Sequence, residues 1–234
     1  MPNRRNLLLG LAGAMAAESA EQQEDGTIYI PDRQSEKDRP FLLDFIEEYS
    51  FAMVVTGQPS VQITNVPTVL AREPGGWGKL WWHLAKGNHQ NAAMNGPVTA
   101  VFHGPHGYIS PNWYQSTNAV PTWNFAVVHV TGTPRRVESD AELAAGLRGL
   151  VQRNESRYGG GDAWHFDQLP ESYLKGMRTG IVAYEMKIDK VEGKFKLGQE
   201  RKEQDRTGVL QGIEKSPKER DLLALSKAYY RRSK

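Results

Sequence analysis

The stretch from residue 98 to 131, VTAVFHGPHGYISPNWYQSTNAVPTWNFAVVHVT, constrains the fold of this chain more than any other. Two runs of β-branched and aromatic residues, 98–102 and 122–131, flank a segment punctuated by Gly104, Pro105, Gly107 and Pro111. A helix does not pass through such punctuation, and the flanking runs read as two strands of a hairpin. A plain hairpin needs only a short turn. This connection instead gathers Tyr108, Ser110, Asn112, Trp113 and Tyr114, and that mixture of rings, hydroxyls and amides suits the wall of a pocket for a flat ligand with polar edges.

The other segments extend the β reading. After a short extended segment at 28–31, Asp38 is placed to cap a helix over residues 39–49, with Pro40 in its first turn and Phe41, Leu42, Phe45, Ile46 and Tyr49 on one face. The β-branched runs 51–56 and 61–70, joined by Gly57-Gln58-Pro59-Ser60, predict a second hairpin. Residues 79–84 predict a strand, and a short helix follows near 88–94. A longer helix is expected over 140–157, with Leu143, Leu147, Leu150 and Val151 as its buried stripe and Gly159-Gly160-Gly161 as its stop. A short helix after Pro170 and a last long strand at 180–191 complete the pattern. Many short strands, closed by hairpins and decorated by few helices, favour a mainly β domain with peripheral helices, a small antiparallel barrel rather than a parallel sheet. With 39% hydrophobic residues in 234, the chain can bury one such core, which we place at residues 28–213.

The two ends stand apart. Ser216 and Glu219 have the spacing of a capping box around Pro217, so a C-terminal helix is expected through Leu222, Leu223, Leu225 and Tyr229. Residues 215–234 carry seven Lys or Arg against two Asp or Glu, whereas the whole chain is only +2. That total excludes a surface uniformly built for nucleic acid; the block reads as a solvated helix end or as a local contact for DNA or a partner. At the other end, Arg4-Arg5 precedes an uncharged run over residues 7–17, too short to span a bilayer, and Ala14-Met15-Ala16 has the look of a cleavage site. The extension 1–27 therefore reads as an export signal of twin-arginine type or as a short N-terminal helix. Without cysteine, disulfides and thiolate chemistry are excluded and the compartment stays open.

Common catalytic signatures are missing: there is no GxxxxGKS loop, no GxGxxG after a strand, no HExxH and no GxSxG. His103 and His106 have ligand-like spacing but lie across Gly104-Pro105 with no third ligand nearby, so hydrogen bonds to the turn are expected rather than a metal. In Trp81-Trp82-His83-Leu84-Ala85-Lys86-Gly87-Asn88, strand alternation puts Trp81 and His83 on one side and presents His83 toward Lys86 and Asn88. A cation and an amide at the start of a short helix suit a phosphate, the alternative being an exposed loop lysine. The donor-rich run 194–201, with Lys196, Gln199 and Arg201, reads as a solvated connection or as a segment closing over an anion.

Taken together, IYIP at 28–31, TNVP at 64–67, HLAKGNHQ at 83–90, FHGPHGYISPNWY at 102–114, VPTWNFAVVHVTG at 120–132 and EGKFKLGQERKEQDRTGVLQGI at 192–213 resemble the PaiB family of FMN-binding negative transcriptional regulators. The resemblance implies a split β-barrel of the pyridoxamine-phosphate-oxidase-like type, a homodimer with FMN between its subunits, and a cytoplasmic location that conflicts with an export signal. It implies roles as well: Lys86 and Asn88, with Ser110, for phosphate and ribityl; Asn65, Val66, Pro67 and Asn124 for the ring edge; Trp113, Tyr114 and Trp123 for the ring faces. Lys196, Gln199 and Arg201, in the family's C-terminal motif, are implied to lie near the pocket. Residues 1–27 are an addition to the family pattern, and Thr64-Asn65 stands where the family often has histidine and serine. DNA, through the basic C-terminal helix, is the partner that regulation requires. A flavin-dependent oxidoreductase acting on a small molecule, exported if the N-terminal signal is used, is the alternative, because a flavin accepts hydride without a dedicated acid or base.

Overall fold

The computed structural model describes residues 26–216 and 219–232. The twin-arginine-like segment and most of the N-terminal extension lie outside the described residues. The strands are β1 (Ser35–Glu36), β2 (Phe51–Thr56), β3 (Gln62–Pro67), β4 (Val69–Ala71), β5 (Lys79–Ala85), β6 (Val98–Ile109), β7 (Thr122–Gly132), β8 (Pro134–Arg136), β9 (Ile181–Lys187) and β10 (Lys190–Lys196). The helices are α1 (Arg39–Glu48), α2 (Asp140–Tyr158), α3 (Glu171–Arg178), α4 (Glu203–Glu214) and α5 (Arg220–Arg232). All strand pairs are antiparallel, in a six-stranded sheet ordered β1-β10-β7-β6-β2-β3 and a four-stranded sheet ordered β4-β5-β9-β8.

Two predicted strands are each divided between these sheets, which is how the barrel closes. The run 61–70 breaks at Thr68, whose N–H and hydroxyl both donate to the Ser50 carbonyl, at 2.8 and 3.0 Å, so β3 and β4 join different sheets. The run 180–191 breaks at Ile188-Asp189, where Ile188 N–H donates to Gly78 O and Asp189 N–H to Thr131 O. Periodicity does not show such corners, because both halves keep strand composition.

β6 is longer than its apolar run. It continues from the predicted 98–102 through the glycines and Pro105 to Ile109, with a register shift between His103 and His106. β2 pairs with β6 only at 99–101, so the far half of β6 has a ladder on one side alone and tolerates a residue without an N–H. Gly104 and Gly107 face inward, where a Cβ would meet the Phe45 ring at 2.5 Å and Glu219 and Leu222 at 2.7–2.8 Å.

The core lies between the sheets and under the helices. Trp82, Leu80, Leu84, Met186, Phe102, Val54, Ala100, Val128 and Phe195 are buried in it. α1, capped by Asp38 as expected, brings Phe41 and Phe45 to within 5.3 and 5.1 Å of the Phe195 ring. α5 stacks Tyr229 on that ring at 5.5 Å and buries Leu222. α2, capped by Ser139, covers the outer side of the small sheet, packing its own Leu150 against Trp81, Val137 and Ala183. Arg178 ties α3 to the start of α2 through Asp140, with Glu171 as a second partner. Two sheets sharing corners, with helices capping the ends, make a split β-barrel.

Candidate functional site

At the end of β5 the chain turns into a 3-10 helix, His89–Ala93, capped by the Asn88 carboxamide oxygen, which accepts from Gln90 N–H at 2.9 Å. The Asn88 amide donates to Thr64 Oγ1 at 3.0 Å, so both ends of this side chain build the turn. Gln90, 1% exposed, donates to Val54 O at 2.9 Å and Gln62 O at 3.0 Å and anchors the turn to β2 and β3. Val66 joins the core, while Asn65 and Pro67 lie on the opposite face of β3. Lys86 donates its backbone N–H to Gly180 O, and its ammonium makes no hydrogen bond or ion pair among the described residues. It borders an open cavity of about 350 Å³ lined by Asn91, Met94, Asn95, Arg136, Val182 and Tyr184. His83 does not face this cavity. It shares with Trp81, 5.8 Å away, the side of β5 under α2, and burial holds its imidazole below the usual value.

A second group sits at the far end of β6 and β7. Trp123 pairs with Tyr108 across the strands, their rings 6.1 Å apart, and His106 and His103 continue the row at 6.2 and 4.9 Å. His103 Nδ1 contacts Gly104 O at 2.9 Å, the turn hydrogen bond expected of it. Lys196 donates to Thr122 Oγ1 at 2.8 Å, and Lys194 lies 5.6 Å from the centre of the Phe125 ring. Burial, with Lys196 nearby, lowers the Lys194 ammonium from its ordinary value.

The third group holds the C-terminal turn. Trp113 packs against α4, its carbonyl oxygen close to Gly208 and its indole close to Gly212. The Ser110 hydroxyl accepts from Asn112 N–H at 3.3 Å, and Arg201 lies 4.7 Å from the centre of the Tyr114 ring. Asn124, 3% exposed, donates to Leu197 O, which also accepts from Tyr230; burial pushes the Tyr230 hydroxyl up to about 12. Gln199 donates to Phe195 O and Arg33 O and accepts from Leu197 N–H. The run 194–201 is therefore not a solvated connection. Its first three residues belong to β10, and Leu197 is fully buried.

One protomer does not bring these groups together. Met94 and Asn95 of the Lys86 cavity precede β6 and Ser110 follows its far end, with the 12-residue strand between them.

Residues 28–190 match the family model described as "Putative FMN-binding domain". The chain belongs to this FMN-binding family. It is 31% identical over 190 residues to the protease synthase and sporulation protein PAI 2 of Bacillus subtilis, covering 80% of this chain and 89% of that one. An uncharacterized protein of Aspergillus fumigatus is 27% identical over 238 residues, covering 80% and 91%. Among solved structures, the FAD and heme binding protein of Mycobacterium smegmatis superposes with a TM-score of 0.50 at 16% identity, covering 70% of this chain and 73% of that one. At that identity the likeness concerns the fold alone.

As a member of this FMN-binding family the chain takes FMN as its cofactor, and its residues fit one. An unpaired lysine over a cavity whose lining holds two cations, two amides and no carboxylate suits a phosphomonoester. The flavin supplies reversible two-electron chemistry; the chain supplies binding and orientation. Sequence reasoning missed Arg136, Tyr184 and Asn91, which reach the cavity from elements 40 or more residues apart or from inside a helical turn. It also missed α4, whose Asp205 accepts from Ser116 and Gln115 and sets the loop carrying Trp113 and Tyr114. No helix among the described residues is long and apolar enough to cross a membrane.

Proposed function

We propose that this chain works as a homodimer of the PaiB type, a flavin-binding negative regulator of transcription with FMN held between its subunits. The observation that carries the reading is the outward face of the six-stranded sheet. Phe51, Ile63, Tyr108 and Trp123 are 67, 56, 44 and 54% exposed there, with Met53, Val55 and Val101 between them on the same side. Several large apolar side chains gathered on one sheet face mark a surface that is covered in the working protein. A second copy is the occupant that also solves the separation of the binding groups, because it can carry its own Trp123 and Ser110 toward the first protomer's Lys86 and Asn65. The likeness to PAI 2 of Bacillus subtilis, whose name ties it to protease synthesis and sporulation, supports the PaiB-type reading.

Light scattering joined to flavin absorbance tests this. The expected particle has twice the 26.2 kDa protomer mass and carries one FMN per chain. Phe51→Asp and Ile63→Asp, both at solvent-facing positions, should give monomers that lose the flavin while keeping their circular dichroism. Monomers that retain FMN at parent affinity would rule the shared site out.

A further inference from the structure

We infer that Arg136 is the second cation of an anion clamp at the end of the small sheet, and that with Lys86 it makes this site choose a phosphorylated flavin over the dephosphorylated one. The inference rests on the FMN reading and deepens it. Fifty residues separate the two side chains in sequence, and the sheet brings them to one cavity. Arg136, the last residue of β8, pairs opposite Tyr184, which in turn pairs opposite Trp82 with the rings stacked at 5.9 Å. Tyr184 is 3% exposed and donates its hydroxyl to Asn91 Oδ1 at 2.9 Å. The Asn91 amide donates to the carbonyls of Ala85 at 3.0 Å and Lys86 at 3.1 Å, so the turn that carries Lys86 is braced from below. The floor is therefore fixed, and the two cations stand at its rim.

Their charges are barely compensated. Lys86 has no partner among the described residues, and Arg136 has only Glu138 at 3.4 Å, both side chains being more than half exposed. An ion pair so exposed contributes little. Two cations facing one cavity that contains no carboxylate gain most when a dianion lies between them. A cavity of about 350 Å³ exceeds what a phosphate needs, and Met94 and Val182 supply apolar wall for the chain that bears it.

Fluorescence titrations of the full chain with FMN and with riboflavin test the clamp. Arg136→Gln, at an exposed strand end where folding is not at stake, should weaken FMN by about tenfold, the loss of one charge-assisted contact, and leave riboflavin unchanged. Glu138→Gln should tighten FMN, and inorganic phosphate should displace FMN from the parent more readily than from Arg136→Gln. Unaltered FMN binding by Arg136→Gln, or an equal loss for both flavins, overturns the clamp. A parent that binds the two flavins equally also overturns it, whereas a parent that binds neither overturns the FMN reading itself.

Discussion

Asp205 on α4 accepts two hydrogen bonds from Ser116, one from its backbone N–H at 2.9 Å and one from its hydroxyl at 2.7 Å. With Gln115 N–H as a third donor at 2.9 Å, this carboxylate fastens the loop after β6 to the C-terminal helices. The loop holds Trp113 and Tyr114, so their placement depends on a residue about 90 positions away in sequence.

The Ser116 hydroxyl and the two amides hold the Asp205 carboxyl below the usual carboxylate range. A depressed folded-state value gives stability that is present above the unfolded carboxylate pKa and is lost as pH falls through the folded value. Asp205→Asn should therefore melt at a lower temperature than the parent at pH 7, and the gap should close below about pH 4. Thermal melts from pH 7 to pH 3 measure it; a gap independent of pH would show that charge is not the cause.

Trp113 leaves no room on α4. A Cβ at Gly208 would lie 2.0 Å from the Trp113 carbonyl oxygen, and one at Gly212 would lie 2.2 Å from its indole. Gly208→Ala meets backbone and Gly212→Ala a packed ring, so each should cost about 1–3 kcal/mol in denaturant unfolding. Trp113 fluorescence is too crowded by the other tryptophans to report the shift, and far-ultraviolet melts are the better readout.

Phe195 is where α1 and α5 meet the barrel. Its ring touches Phe41 and Phe45 and stacks on Tyr229 at an interplanar angle of 11°. Phe195→Ala should cost about 3–5 kcal/mol. Tyr229→Ala should loosen α5 more than α1, which amide hydrogen exchange resolves helix by helix.

The cations of α5 divide into two sets. Arg232 pairs with Glu36 and Asp38 and lies 3.7 Å from the centre of the Phe41 ring, and Lys227 pairs with Glu214. Arg220 and Arg231 have no ion pair among the described residues. If the regulator reading holds, Arg220→Ala with Arg231→Ala should abolish the mobility shift of a DNA target without lowering the melting temperature. Arg232→Ala should instead lower stability by up to about 1 kcal/mol. The parent's DNA affinity should fall steeply with salt; a shift insensitive to salt and to both arginines would remove α5 as the contact.

Much of the framework was legible in the chain. Asp38 caps the helix it precedes, and the spacing of Ser216 and Glu219 marks the start of α5. These signals are local: a side chain bonds a backbone group two or three residues on, so the sequence contains the whole interaction. The site was less legible. Asn88, Asn124 and Gln199 each donate to a group far away in sequence, Thr64 Oγ1, Leu197 O and Arg33 O, contacts that residue type alone does not reveal.

The amino-acid order alone thus determined the alternation of the strands, the helix caps, the polar-aromatic hairpin and the family. Tertiary structure decided which strands break at Thr68 and Asp189 to change sheets, that Trp113 is walled in by α4, and that Arg136 joins Lys86 at one cavity. The reason is physical: caps and periodicity are interactions between near neighbours in the chain, whereas sheet corners, buried amides and paired cations exist only once distant segments have packed.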